Sequence, residues 1–199
     1  MRFLTLYLRS RRVPLALVVA AGGTALMWGI WQLASDDRDA NSTVVILTVL
    51  IAAACFAHTL NGPDDELERT AAVRWPRRRA THLILALGVT VALVLATLAT
   101  GARFGPPLFV LRDAAGVLGL IALGAALVGP ARSWFLPLIW TLGVAIFPQP
   151  SPLPAVVATW QHQPPGSRPA AITAAVLALA GLIAFTAYGP ARRAAATQA

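Results

Sequence analysis

Long apolar runs are the feature that most constrains how this chain of 199 residues folds. A helix needs about 20 mostly apolar residues to cross the roughly 30 Å hydrocarbon layer of a bilayer, because each residue adds about 1.5 Å. Four runs meet this length and two are weaker, which predicts an all-α, polytopic membrane protein formed by a single transmembrane domain, residues 1–199. The six predicted transmembrane helices are residues 13–34, 42–60, 80–100, 108–129, 134–147 and 170–188.

Two of these runs are imperfect. The fifth has only 14 residues and contains Pro137, and the fourth is interrupted near its start by Arg112 and Asp113. Adjacent helical residues point in different directions and pair poorly. We therefore expect Asp113 to cap a shorter helix that begins near Ala114, with Arg112 extending outward to the membrane surface. The alternative is a functional ion pair within the span.

Composition excludes two broad classes. Charged residues make up 12% of the chain and apolar residues 57%, so the chain is too poor in charge to cover a soluble domain and too apolar to be disordered. All sixteen basic residues are arginine. The chain therefore lacks the lysine of a Walker A loop or of a Schiff-base enzyme. If ATP drives this protein, another subunit must bind it.

Cysteine and histidine residues are too few for a zinc site or a disulfide. Cys55 is the only cysteine, and the histidines are His58, His82 and His162. No serine nucleophile motif or paired carboxylates at membrane depth are found either. We therefore expect neither a metal nor a cofactor on this chain, and no enzymatic activity of its own.

The positions of the arginines predict the orientation in the membrane. Twelve of the sixteen lie before the first span, between spans two and three, between four and five, or after the sixth, and cytoplasmic loops are the arginine-rich ones. This predicts a cytoplasmic-membrane protein with both termini in the cytoplasm and the acidic loop Ser35–Asp39 outside. The net charge of +8 then reflects topology and not nucleic-acid binding. The first apolar run is too long for a cleaved signal peptide, so we expect a retained span.

Three segments between the spans have distinct patterns. Residues 1–12 carry Arg2, Arg9 and Arg12 on one helical stripe, which predicts an amphipathic interfacial helix beside anionic lipid, or else a simple topology signal. Residues 63–72 begin with a proline followed by four acidic residues, which predicts a short charged helix, or else a solvated loop. Residues 148–169 contain seven prolines, which predicts a re-entrant segment, or else a proline-rich outer loop.

A stripe of small residues runs along the fourth predicted span. Small side chains let helices in a membrane approach closely. The stripe is expected to face either another span of this chain or a second subunit. It consists of Ala115, Gly119, Ala122, Ala126 and Gly129.

This layout resembles the membrane subunit of an ABC-2 type transporter, the permease of the type V exporter fold. Six spans, a basic helix before the first span and a re-entrant element between spans five and six agree with that family. The charged helix at residues 63–72 lies where the family has its coupling helix. The stretch DDELERTAAVRWPRRR is also similar to the corresponding loop of small actinobacterial permeases.

The resemblance implies a permease that moves a hydrophobic or amphipathic substrate, with ATP and magnesium bound by a separate ATP-binding subunit. A second permease copy or a paralogue would complete the transporter. The implied docking residues for the ATP-binding subunit are Asp64, Asp65, Glu66, Glu68 and Arg69. The implied substrate-pathway residues are Gly22, Gly23, Trp28, Trp31, Thr43 and Thr48.

Two other functions remain open. One is a non-transport accessory or immunity protein that binds another membrane protein. The other, a secondary carrier or small channel, is disfavoured because acidic residues are missing from the middle of the predicted spans.

Overall fold

The computed structural model describes residues 11–60, 75–146 and 152–191. Within these ranges the chain is helical apart from turns, loops and a single isolated β-bridge between two loops. Short 3-10 turns follow several of the helices. The α-helices of the described residues are α1 (Val13–Ala34), α2 (Ser42–Ala57), α3 (Trp75–Leu95), α4 (Pro107–Val128), α5 (Phe135–Ile146), α6 (Pro152–Ala158) and α7 (Arg168–Tyr188).

Five of these helices are long and apolar enough to cross a membrane. They are α1, α2 with its 3-10 turn to Leu60, α3 with its 3-10 turn to Ala99, α4 and α7. The all-α class is therefore confirmed for the described residues, and the five helices are compatible with a membrane protein. The predicted span 134–147 appears as α5, which has 12 residues and a rise of about 18 Å, short of the roughly 30 Å hydrocarbon layer. Within the described residues, which stop at Ile146 on this side, helix length alone supports five spans.

Helix starts follow local sequence signals. The side chain of Asn41 caps α2 by accepting a hydrogen bond from the backbone N–H of Val44 at 2.9 Å. Prolines in the first turn begin α1, α4 and α7, where a missing N–H costs nothing. Helix α3 begins at Trp75 and includes Pro76, five residues before the predicted start at residue 80. The arginines at 77–79 are therefore helical.

Helix α4 forms the centre of the bundle. Its most apolar segment is 78% buried, against 17% for α1, which lies at the periphery. Helices α2, α3, α5 and α7 all pack against α4, and α7 does so most extensively. The burial of α4 on all sides explains why its sequence is apolar or small around most of its circumference.

Helices α4 and α7 run parallel to each other. Near their N-terminal ends, the Arg112 guanidinium reaches the carbonyl of Pro164, just before α7. Near their C-terminal ends, the N–H of Ala191 donates to the carbonyl of Ala125 at 2.8 Å. The chain between α4 and α7 must therefore return from one end of the bundle to the other. Helix α5 makes this return, beginning after Ser133, which packs on Gly124.

The two ends of the bundle differ in charge. The arginine-rich end carries Arg11, Arg12, the arginines at 77–79 and Arg132, beside the starts of α1, α3 and α5. At the opposite end the loop before α2 is acidic. There the N–H of Ala40 donates to the Arg103 carbonyl at 2.9 Å, and the N–H of Arg103 donates to the Arg38 carbonyl at 2.6 Å. These bonds join the α1–α2 loop to the α3–α4 loop.

Candidate functional site

The helix ends that flank the predicted coupling segment are joined to each other. The predicted docking residues Asp64, Asp65, Glu66, Glu68 and Arg69 lie outside the described residues, as does most of the predicted interfacial helix 1–12. Thr59 and His82 are both buried, and the Thr59 hydroxyl is hydrogen bonded to His82 Nε2 at 2.8 Å. Arg11 also donates to the Thr59 carbonyl at 3.4 Å. The end of α2, the start of α3 and the residues before α1 therefore form one connected unit.

The start of α3 is also connected to the end of α7. The Arg79 guanidinium lies 6.0 Å from the centre of the Phe185 ring. A Cβ added at Gly189, whose φ is +73°, would lie 2.6 Å from an Arg79 nitrogen, so Arg79 packs directly on this glycine. Glycine is favoured here by its positive φ, because the flexible end of the Arg79 side chain can move away from an added Cβ. The arginine-rich end therefore connects α3 to α7 in addition to α2.

The most polar buried cluster surrounds Arg112 and Asp113. Arg112 is 8% exposed and Asp113 is fully buried. The Nε of Arg112 donates to an Asp113 carboxylate oxygen at 3.0 Å. Its two terminal nitrogens donate to the carbonyls of Pro164 at 3.0 Å, Gln161 at 3.1 Å and Gln163 at 3.0 Å. The guanidinium also lies 4.8 Å from the centre of the Phe109 ring.

This arrangement corrects the expectation for these two residues. Helix α4 runs unbroken from Pro107, so Asp113 lies two turns inside the helix and does not cap one that starts near Ala114. Arg112 does not extend to the membrane surface either, because its side chain turns inward toward the segment before α7. Adjacent residues can pair here because the long Arg112 side chain folds back. The cost of burying a lone charge favours that pairing.

The cluster connects α4, α5 and α6 to the segment before α7 at one level of the bundle. The Thr141 hydroxyl of α5 donates to the Gln161 side-chain oxygen at 3.1 Å, and the Trp140 indole N–H donates to the carbonyl of Ala158 at 2.9 Å. The fully buried Trp160 ring packs on Gly116 of α4, where even a Cβ would overlap it. Sequence reasoning missed Gly116 and Gln161. Two features of the sequence could have indicated them. Gly116 lies about one helical turn after Asp113, and Gln161 is a polar residue directly after Trp160.

The predicted pathway residues on α1 do not converge on one surface. Gly22 is exposed and has open space beside it, whereas Gly23 packs against Ile51 of α2. The Trp28 indole N–H donates to the Thr100 hydroxyl at 2.9 Å. The Trp31 indole N–H donates to the carbonyl of Asp37, also at 2.9 Å. Both tryptophans thus anchor α1 to loops at the opposite end.

The predicted pathway residues on α2 also face in different directions. Thr43 is exposed in the first turn of α2. Thr48 is fully buried, and its hydroxyl donates to the Val44 carbonyl of the same helix at 2.7 Å. The assignment of both groups of residues to a substrate pathway therefore stays a prediction.

The small-residue stripe faces the same chain at its centre. A Cβ at Gly119 would overlap the Leu177 carbonyl and the backbone of Ala178, and a Cβ at Gly181 would overlap Gly119 itself. Ala115 and Ala122 line a narrow groove of about 100 Å³ between α3, α4 and α7. At Gly119, the partner of the stripe is therefore a span of the same chain, α7.

A larger groove opens at the arginine-rich end. It has a volume of about 470 Å³ and lies between α1, α2 and Trp134, which precedes α5. Arg12 and His58 line it, together with apolar residues that include Leu15 and Val19. Among residues 11–60, 75–146 and 152–191 no group of three or more His, Cys, Asp or Glu side chains could hold a metal ion.

Comparison with known proteins identifies no relative. No protein-family model matches the chain, and no curated protein and no solved structure matches it either.

Proposed function

We propose that the chain is the permease subunit of an ATP-driven ABC exporter, which moves a hydrophobic or amphipathic substrate across the cytoplasmic membrane. A separate ATP-binding subunit would dock on residues 63–72, and a second permease copy or paralogue would complete the transporter. The observation that carries this proposal is the 2.8 Å hydrogen bond between Thr59 and His82. It joins the two helix ends that flank the charged segment, so a push on that segment would move α2 and α3 together.

The proposal includes six membrane crossings with both termini in the cytoplasm. The parallel arrangement of α4 and α7 supports this count, because the chain between two parallel helices has to return across the bundle. In this proposal α5 is the fifth crossing despite its 12 residues, and α6 with the Trp160–His162 turn is the re-entrant element that follows it. Burial against other helices makes such a broken crossing tolerable in lipid.

The packing of the bundle offers a route for mechanical coupling. Helices α2 and α3 both pack against α4, and α4 is held to the segment before α7 by Arg112. Arg79 adds a direct contact from the start of α3 to the end of α7. A movement imposed on α2 and α3 at the arginine-rich end would therefore reach the central helix and, through it, α7.

Co-purification with an ATP-binding subunit tests the proposal. The chain is co-expressed with each candidate ATP-binding cassette protein of its source genome, and the ATP turnover of any complex that forms is measured in lipid nanodiscs. Reversing charge with Glu66→Lys and Glu68→Lys should lower the permease-stimulated turnover by about tenfold, within the usual range of coupling energies. The matched control is Asp36→Lys with Asp37→Lys in the acidic loop at the opposite end, which should leave turnover unchanged.

Two outcomes would contradict the proposal. Full turnover and an intact complex in the Glu66→Lys, Glu68→Lys variant would overturn docking at this segment. Recovery of the chain with another membrane protein, and with no ATP-binding subunit, would instead favour the accessory or immunity function.

A further inference from the structure

The groove at the arginine-rich end combines a polar end with an apolar wall. Arg12 and His58 lie at its outer edge, where α1 begins and α2 ends. From Arg12, the wall continues along α1 through Leu15 to Val19 for about 10 Å, at about 1.5 Å per residue. The Leu15 and Val19 side chains are 59% and 50% exposed, so they are available to a molecule that enters the groove.

The groove has the size and chemistry of a small amphipathic ligand site. Its volume of about 470 Å³ falls within the roughly 300–1,000 Å³ that is typical of ligand pockets. Trp134 also lines the groove, and tryptophan is typical of the level of lipid headgroups. Within the described residues, neither the Arg12 nor the His58 side chain has a hydrogen-bond partner, whereas Thr59 and Cys55 donate to carbonyls of their own helix.

We propose that this groove binds one anionic phospholipid, with its phosphate at Arg12 and His58 and an acyl chain along Leu15 and Val19. Charge complementarity selects the ligand, because an arginine at the membrane surface attracts anionic lipid. The apolar wall requires an acyl chain, which a free phosphate lacks. Arg11 joins the same stretch of chain to Thr59 beside the groove, so an occupied groove would be in contact with the unit that includes Thr59 and His82. The proposal is independent of the transport function.

Cys55 provides a built-in probe because it is the only cysteine of the chain and lines this groove. The rate of maleimide labelling of Cys55 is measured in nanodiscs of pure phosphatidylcholine and in nanodiscs of equal parts phosphatidylcholine and phosphatidylglycerol. We expect labelling to be about fivefold slower with phosphatidylglycerol, the factor that corresponds to one arginine near an anionic surface. Native mass spectrometry should show one phosphatidylglycerol retained per chain.

Matched variants make the test specific. Arg12→Gln should abolish the difference between the two lipids, whereas Arg103→Gln, an exposed arginine at the opposite end, should preserve it. In a second variant, Val19→Trp, the larger side chain occupies the groove beside the apolar wall. It should displace the retained lipid even though Arg12 is intact. Thermal unfolding of each variant verifies that it is folded.

Three results would overturn the proposal. The first is equal labelling rates in the two nanodiscs with no retained phosphatidylglycerol. The second is equal protection in phosphatidylcholine by soluble glycerol phosphate, which would indicate an anion site without a lipid. The third is slow labelling in both nanodiscs that Arg12→Gln does not change, which would indicate that another segment of the protein covers Cys55.

Discussion

Arg112 uses all three nitrogen atoms of its guanidinium within the protein. One bonds to Asp113, and the other two bond to carbonyls of the segment that leads into α7. The hydrogen bond to the Gln161 carbonyl is buried and the two to Pro164 and Gln163 are partly buried, so the fork of donors satisfies backbone groups that would otherwise be costly to bury. A lysine has the charge but not this planar fork. At the scale of single residues, the Arg112–Asp113 pair therefore has a structural role, because it holds α4 to the segment before α7.

Removing Arg112 should destabilise the protein strongly. We expect Arg112→Ala to lower the free energy of unfolding by about 3–5 kcal/mol, because Asp113 would remain buried without its ionic partner. Denaturant unfolding in detergent, followed by tryptophan fluorescence, measures this change. Arg112→Lys should lie between the wild type and Arg112→Ala, since it keeps the charge and loses the fork.

Paired variants separate the ion pair from the general effect of truncation. Arg112→Ala combined with Asp113→Ala should be more stable than Arg112→Ala alone, because no unpaired charge is left. Arg168→Ala, an exposed arginine at the same end, should change the free energy of unfolding by no more than about 0.5 kcal/mol. Equal free energies of unfolding for Arg112→Ala and the wild type would contradict this structural role of Arg112.

The pair α4 and α7 is the central packing unit among the helices. Gly119 and Gly181 face each other at the crossing, and neither position has space for a Cβ. Helices in lipid gain little from burying apolar side chains, so close backbone contact supplies much of their attraction. Glycine is thus required at both positions, because the backbones of α4 and α7 are too close for a Cβ.

A methyl group at this crossing should separate α4 from α7. Gly119→Ala is expected to lower the free energy of unfolding by about 1–3 kcal/mol, the usual cost of overpacking. The matched control is Gly88→Ala in α3, where a Cβ meets nothing within 4 Å. Because alanine favours helix over glycine, Gly88→Ala should be neutral or slightly stabilising. Similar losses in both variants, measured by the same denaturant unfolding, would show that the crossing is not the cause.

The whole molecule has a topology that the charges and the packing both constrain. Arginines concentrate at one end, where α1, α3 and α5 begin, and α4 and α7 are parallel. If α5 is a crossing, the 3-10 turn before α5 and the turn before α7 lie on opposite sides of the membrane. Both turns offer exposed positions, Ala131 and Gly166, at which a probe can be attached.

Cysteine accessibility tests this topology. In a Cys55→Ser background, Gly166→Cys should react with a membrane-impermeant maleimide in intact cells, whereas Ala131→Cys should react only after permeabilisation. A Cβ at Gly166 meets nothing within 4 Å and the residue is exposed, so that variant should fold normally. Reaction of both positions from the same side would rule out α5 as a crossing.

Much of the fold could be predicted because it depends on local sequence. The apolar runs identified the membrane class, and α1 and α2 with its 3-10 turn begin and end where their runs do. The structure differs from the predicted helix bounds where prolines and arginines in a helix have the composition of a loop. Pro76 and the following arginines fit the first turns of α3, because a proline is tolerated there and the arginine stems can pack along the helix.

The sequence by itself determined that lipid is the main solvent of this chain and that its two ends differ in charge, since hydropathy and charge are properties of each segment alone. Only the tertiary structure decided what Arg112 binds and which helix meets Gly119. Both partners lie about 50 to 60 residues away along the chain, beyond the reach of helical periodicity. A buried charge or a glycine indicates that a close neighbour is needed, and the packing of α4 against α7 determines which residue that neighbour is.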